Sequence, residues 1–103
     1  MTGNPADVAV GADGGGSGCR AMVIDLSGEE LGSAQGPPAL IDPSNPGAAA
    51  DAIGQTVVAA LTSACRTTPA RALWTGLAGA GSSGAREAVE IALRSQGLAE
   101  KTL

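Results

Sequence analysis

The sequence predicts an α/β fold, a mixed sheet with helices packed on it, and three observations carry that prediction. Val8-Ala9-Val10-Gly11 and Ala21 to Leu26 are short apolar runs separated by a glycine cluster, and both read as strands. Ile53, Val57, Leu61 and Cys65 then recur at four-residue spacing, the stripe of an amphipathic helix. Last, Ala72 to Leu77 forms another apolar run that enters a second glycine-rich turn, "GLAGAGSSG", ahead of a further helical segment.

Taken in order, the elements support one another. Glu30 to Gln35 follows a Ser27-Gly28 turn and is expected to pair back as a third strand, completing an antiparallel meander. Gly36 to Pro46 holds four prolines and reads as an extended loop. Ser44-Asn45-Pro46 offers a capping side chain before a proline in the first turn, so a helix is expected from about Pro46 to about Cys65. Ala49, Ala50, Ala60 and Ala64 widen its apolar stripe, while Asp51, Gln55, Thr62 and Ser63 form the polar side. A second helix is expected from near Ser83 to about Gln96, with Gly97 as its C-terminal cap. Because only "EKTL" remains after Leu98 and Ala99, the sheet is expected to be truncated before its next strand. Residues 1–103 are therefore read as a single, incomplete lobe.

Composition narrows the possible partners. The chain is 44 % apolar, enough for a globular core, but the apolar residues are mostly small and Trp74 is the one aromatic. On its apolar strand, Trp74 is expected in the core. The net charge of −4 comes without a cluster of Lys or Arg, so neither nucleic acid nor an anionic membrane is an expected partner. Cys19 and Cys65 lie far apart with no histidine in the chain to complete a metal set, and read as small buried or half-buried thiols rather than a disulfide. With no secretory signal and no apolar run of membrane-spanning length, the expected location is the cytoplasm.

The glycine joint, "GADGGGSGC", carries the functional question. "GSGCRA" formally fits a dinucleotide fingerprint, but strand-like Met22-Val23-Ile24 stands where a helix must open. The P-loop pattern fails too, since Ser17-Gly18 occupies the place of Lys-Ser/Thr. What remains is a glycine-rich hairpin preceded by Asp13. Glycines at positive φ can gather N–H groups into an anion nest, with Ser17 adding a hydroxyl, and a carboxylate beside a phosphate calls for Mg²⁺ between them. Alternatively, the glycines merely turn the chain, and the residues alone leave both readings open.

The stretch "VGADGGGSGCRAMVIDLSGEELG" resembles the first phosphate motif of the actin-like ATPase and sugar kinase superfamily. Its D-G-G-G-S start, the later "GP" and the "GLAG" turn are similar to the BadF/BadG/BcrA/BcrD-type ATPases, which include N-acetylglucosamine and glucosamine kinases. That resemblance implies a ribonuclease H-like sheet forming an N-terminal lobe that binds ATP and Mg²⁺, with phosphoryl transfer to an amino sugar. Asp13 would be the magnesium-associated acid, Gly14, Gly15, Gly16 and Ser17 would line the β- and γ-phosphates, and Gly76, Gly79 and Gly81 would form a substrate loop. The implied partners are a nucleotide, an amino sugar, and either a C-terminal lobe or a second copy of the chain. Two departures stand out. Gly18 replaces the lysine of many relatives, and Ala80-Gly81-Ser82 lacks the acid that serves as base in the sugar kinases; Asp42, close to Leu40 in sequence, is either a substitute acid or simply a turn former. Leu40 also falls where relatives place a sugar-binding asparagine. An ATPase without a sugar substrate, or an inactive interaction module, are the alternatives.

Overall fold

The computed structural model describes residues 7–40, 44–67, 69–77 and 83–102. Its elements run β1 (Val8–Gly15), β2 (Gly18–Asp25), β3 (Glu30–Gly36), α1 (Pro46–Ser63), β4 (Ala70–Leu77), α2 (Ser83–Ser95) and β5 (Ala99–Thr102). The five strands form one mixed sheet in the order β3-β2-β1-β4-β5. β1 pairs antiparallel with β2, which pairs antiparallel with β3, whereas β4 runs parallel to both β1 and β5.

Alternation along the strands explains which face is covered. Val8, Val10 and Ala12 of β1 and Cys19, Ala21 and Val23 of β2 join one core with Ala49, Ile53, Val57, Ala60 and Leu61 of α1 and Ala85, Val89 and Leu93 of α2. Both helices thus bury their apolar stripes against the same side of the sheet. Small residues bring α1 close to β3. A Cβ built on Gly32 would lie 2.5 Å from Ser63 Oγ and 2.8 Å from the Ala64 nitrogen, and one on Gly36 would overlap the Thr56 hydroxyl. Thr56 is buried and donates to the Ala52 carbonyl at 2.8 Å, so the polar group in this contact is satisfied within its own helix. A core with few large side chains compensates by bringing backbones together.

Several sequence expectations need correction. The sheet is not cut off after α2, because Ala99–Thr102 pairs parallel with β4 as an edge strand. Its polar residues hide it from a search for apolar runs; only Thr102 is buried, and register with Ala70, Ala72 and Leu73 defines the strand. Trp74 is not core. Its neighbour Leu73 takes the buried side of β4, and the indole, 50 % exposed, lies on the face away from the helices. Asn45 occupies the N-cap of α1 without a side-chain capping hydrogen bond, leaving proline at the first turn as the start signal.

The end of α1 departs from the predicted stripe. Cys65 is exposed at φ +58, while its N–H donates to Thr62 O at 3.0 Å and that of Arg66 to Leu61 O at 2.8 Å. This pair of bonds is a Schellman termination, and Cys65 holds the left-handed position usually given to glycine. Gly97, at φ +66 after α2, fills the equivalent position, as expected. At the β2–β3 turn the Asp25 carboxylate accepts from the Ser27 hydroxyl and from the N–H groups of Ser27 and Glu29. These bonds, that of the Ser27 hydroxyl foremost, hold its carboxyl below the usual value. Cys65→Gly is expected to stabilise the fold by about 0.5–1 kcal/mol by relieving the left-handed strain. Urea unfolding should show a higher midpoint at unchanged slope; an equal or lower midpoint would contradict the strain.

Candidate functional site

The site forms where three strands end. β1, β3 and β4 point the same way, so their carboxyl ends share one edge of the sheet, and the chain leaves that edge towards α1 and α2. In open α/β sheets this is the edge at which ligands bind, and helix N-termini directed there favour anions. Neither helix carries an acidic residue in its first turn to oppose that charge.

Register assembles the predicted residues row by row. Asp13 lies opposite Arg20 on one side and Gly76 on the other, and Arg20 lies opposite Gln35. One residue nearer the edge, Gly36, Cys19, Gly14 and Leu77 are level. Beyond them Gly15 pairs with Gly18, and Gly16 and Ser17 form the tip of a tight hairpin. Asp13, Gly16, Ser17 and Gly76 are exposed, while Gly14 and Gly15 are half-buried. Among the described residues no ion pair or hydrogen bond ties down the Asp13 carboxylate. The loop after β3 packs on the tip: Ala39 N–H donates to Gly15 O at 3.0 Å, and Leu40 lies 3.6 Å from where a Gly16 Cβ would stand.

The hairpin differs from the expected nest. Gly14 and Gly15 are strand residues, and of the cluster only Gly18 has positive φ, +153. Gly14 to Gly16 therefore contribute not left-handed backbone but a run of main chain without side chains, which a ligand can approach closely. Gly18 is constrained as well, since a Cβ there would lie 3.1 Å from Gly36 O. A side chain there would strain both the turn and the β2–β3 pairing. Gly79, Gly81, the acid-free Ala80 and Ser82, and Asp42 lie outside the described residues.

Two features escaped the sequence reading. Arg20 stands across from Asp13, a pairing that follows from the two-residue turn at Gly16-Ser17 once the turn is located. Gly11 lies between Met22 and Trp74 on the open face, making a shallow trough that reaches Asp13, Arg20 and Gly76. Nothing comes within 4 Å of a Cβ on Gly11, so the trough floor is bare backbone. Cys19 is on the opposite, buried side, where burial, with the charge of Asp13 adding to it and the Thr56 hydroxyl opposing it, pushes its thiol up. No disulfide forms, both cysteines being free.

Metal chemistry at this edge has a definite limit. Among the described residues no three His, Cys, Asp or Glu side chains come together, so those residues build no cage of their own. A lone exposed carboxylate such as Asp13 fits at most an ion that brings most of its own ligands, as Mg²⁺ does when it keeps waters and takes one or two carboxylates beside phosphate oxygens. No helix among the described residues is long and apolar enough to cross a membrane.

Comparison with known proteins identifies the fold. No family model matches the chain, and no curated protein matches it. Among solved structures, it superimposes on a Chromobacterium violaceum protein provisionally designated an N-acetylglucosamine kinase, with a TM-score of 0.73 and 23 % identity over 96 % of this chain. The chain spans 34 % of that protein's length. The mixed five-stranded sheet with two helices is thus a fold that the chain shares with part of that protein.

Gly18→Lys is expected to destabilise the chain by about 1–3 kcal/mol through its φ and the contact with Gly36. A thermal melt should show the loss, whereas an unchanged midpoint would mean that the hairpin tolerates a side chain there.

Proposed function

We propose that this chain is the phosphate-binding lobe of an ATP-dependent sugar kinase of the BadF/BadG/BcrA/BcrD type, with a ribonuclease H-like sheet. The observation that carries the reading is the unpaired Asp13 carboxylate beside Gly76 and below a glycine-rich hairpin, at the shared carboxyl edge of β1, β3 and β4. Likeness to part of a protein designated an N-acetylglucosamine kinase supports the substrate class, an amino sugar such as N-acetylglucosamine.

In this reading Gly14, Gly15, Gly16 and Ser17 contact the β- and γ-phosphates, with the Ser17 hydroxyl as one donor. Asp13 orients Mg²⁺, directly or through water, and the ion supplies neutralisation of phosphate charge. Phosphoryl transfer asks a protein mainly for positioning and charge compensation, which such a loop provides. The turn from Gly76 through Gly79 and Gly81 would approach the acceptor sugar. The described residues offer no general base placed for its hydroxyl, so catalysis needs groups from elsewhere.

A second lobe is the natural source. β1, β4 and β5 are parallel, and parallel sheets are ordinarily covered on both faces, yet the face bearing Met22 and Trp74 is open. Closure of another lobe, or of a second copy, over this face would complete a cleft around the nucleotide, and the chain alone would be a poor catalyst. Use of ATP and two unpaired thiols support a cytoplasmic location.

Calorimetry with concentrated protein tests the reading. Mg-ATP should bind weakly but measurably, and Asp13→Asn should reduce affinity about tenfold or more while removing the requirement for Mg²⁺. Absence of binding by the folded wild-type chain, or equal affinity in the variant, would refute it.

A further inference from the structure

Resting on that reading, we propose that Arg20 is the cationic phosphate-binding residue of this site, in place of a lysine at position 18, where a side chain would be strained. Gly18 and Arg20 are two residues apart on β2, so their side-chain directions fall on the same face. At position 18, φ +153 and the nearby Gly36 carbonyl penalise a side chain. At position 20 neither constraint applies, and the side chain is exposed. Moving the positive charge one step down the strand keeps it on the face that carries Asp13.

Geometry places Arg20 level with the metal-associated acid. Antiparallel partners stand about 4.5–5.5 Å apart at Cα, so Asp13 and Arg20 approach one ligand from adjacent strands. Both line the trough that ends at Gly76. Opposite charges in such a pair ordinarily attract, yet no ion pair joins them. The guanidinium is left available for phosphate oxygens, which its planar fork can grip bidentately, while Asp13 faces the same phosphates through Mg²⁺. The two charges thus act together: the acid holds the cation, and the arginine offsets the repulsion between the acid and its anionic ligand.

The experiment compares wild type, Arg20→Ala, Arg20→Gln and Arg20→Lys by calorimetry with Mg-ATP and Mg-tripolyphosphate at two salt concentrations, alongside thermal melts. The expected result is about tenfold weaker binding of both probes by Arg20→Ala and Arg20→Gln, with a shallower salt dependence. Arg20→Lys should recover part of the affinity, and all four melts should agree closely. Unchanged affinity in Arg20→Ala and Arg20→Gln, in a protein whose Mg-ATP binding still requires Asp13, would overturn the role of Arg20 and leave the site standing. Lower melting temperatures in Arg20→Ala and Arg20→Gln, with affinity intact in the folded fraction, would make Arg20 a structural partner of Asp13 instead. Absence of Mg-ATP binding by wild type would remove the site and this inference together.

Discussion

The register of β1 is the constraint on which the site depends. β1 is paired on both sides, antiparallel to β2 and parallel to β4, and this double pairing sets Asp13 between Arg20 and Gly76. A slip of one residue would send Asp13 into the core and turn Val8 and Val10 outward, so burial of those valines enforces the position of the acid. The hairpin tip inherits the same register. With Gly15 opposite Gly18, only Gly16 and Ser17 remain to make the turn, which holds the glycines at the mouth of the edge rather than in a slack loop.

A second constraint follows from the scarcity of large side chains. The core is built mainly of Ala, Val, Leu and Ile, and close backbone approach supplies the contact that aromatic residues would otherwise provide. Gly32 and Gly36 let α1 settle on β3, and Gly54 of α1 accommodates Gln96, whose amide donates to the Ala50 carbonyl at 3.0 Å. Such contacts are sensitive to any added Cβ, and they lock the helix over the strand whose end borders the site. Packing on one face and pairing along β1 therefore support the same edge. The uncovered face, with Trp74 and Met22 flanking the bare backbone of Gly11, is where the sheet has apolar surface left to bury.

Much of this architecture was legible in the residues. The strand runs before and after the glycine cluster, the α1 stripe and the Gly97 cap all appear where periodicity and capping chemistry put them, because each depends on local pattern. The failures are non-local. β5 has a polar sequence and exists through pairing with β4, and Trp74 faces outward because the register of β4 gives the inner position to Leu73. Cys65 fits the α1 spacing but follows a termination that the spacing alone does not reveal. At the site, Asp13 and the glycines stood out by composition, whereas Arg20 requires the hairpin register. The nest of positive-φ glycines did not form, since pairing draws Gly14 and Gly15 into β1.

The central claim, that the hairpin tip and Asp13 bind nucleotide phosphate, is most directly tested by mapping backbone amide resonances as Mg-ATP is added, a measurement that registers even weak binding. The account predicts that the largest shifts fall on Gly14, Gly15, Gly16 and Ser17, with smaller ones at Ala39 and Leu40 where the neighbouring loop packs on the tip. Mg²⁺ alone should leave the tip resonances nearly unmoved. Large shifts elsewhere on the sheet, or none at saturating nucleotide in a folded sample, would contradict it.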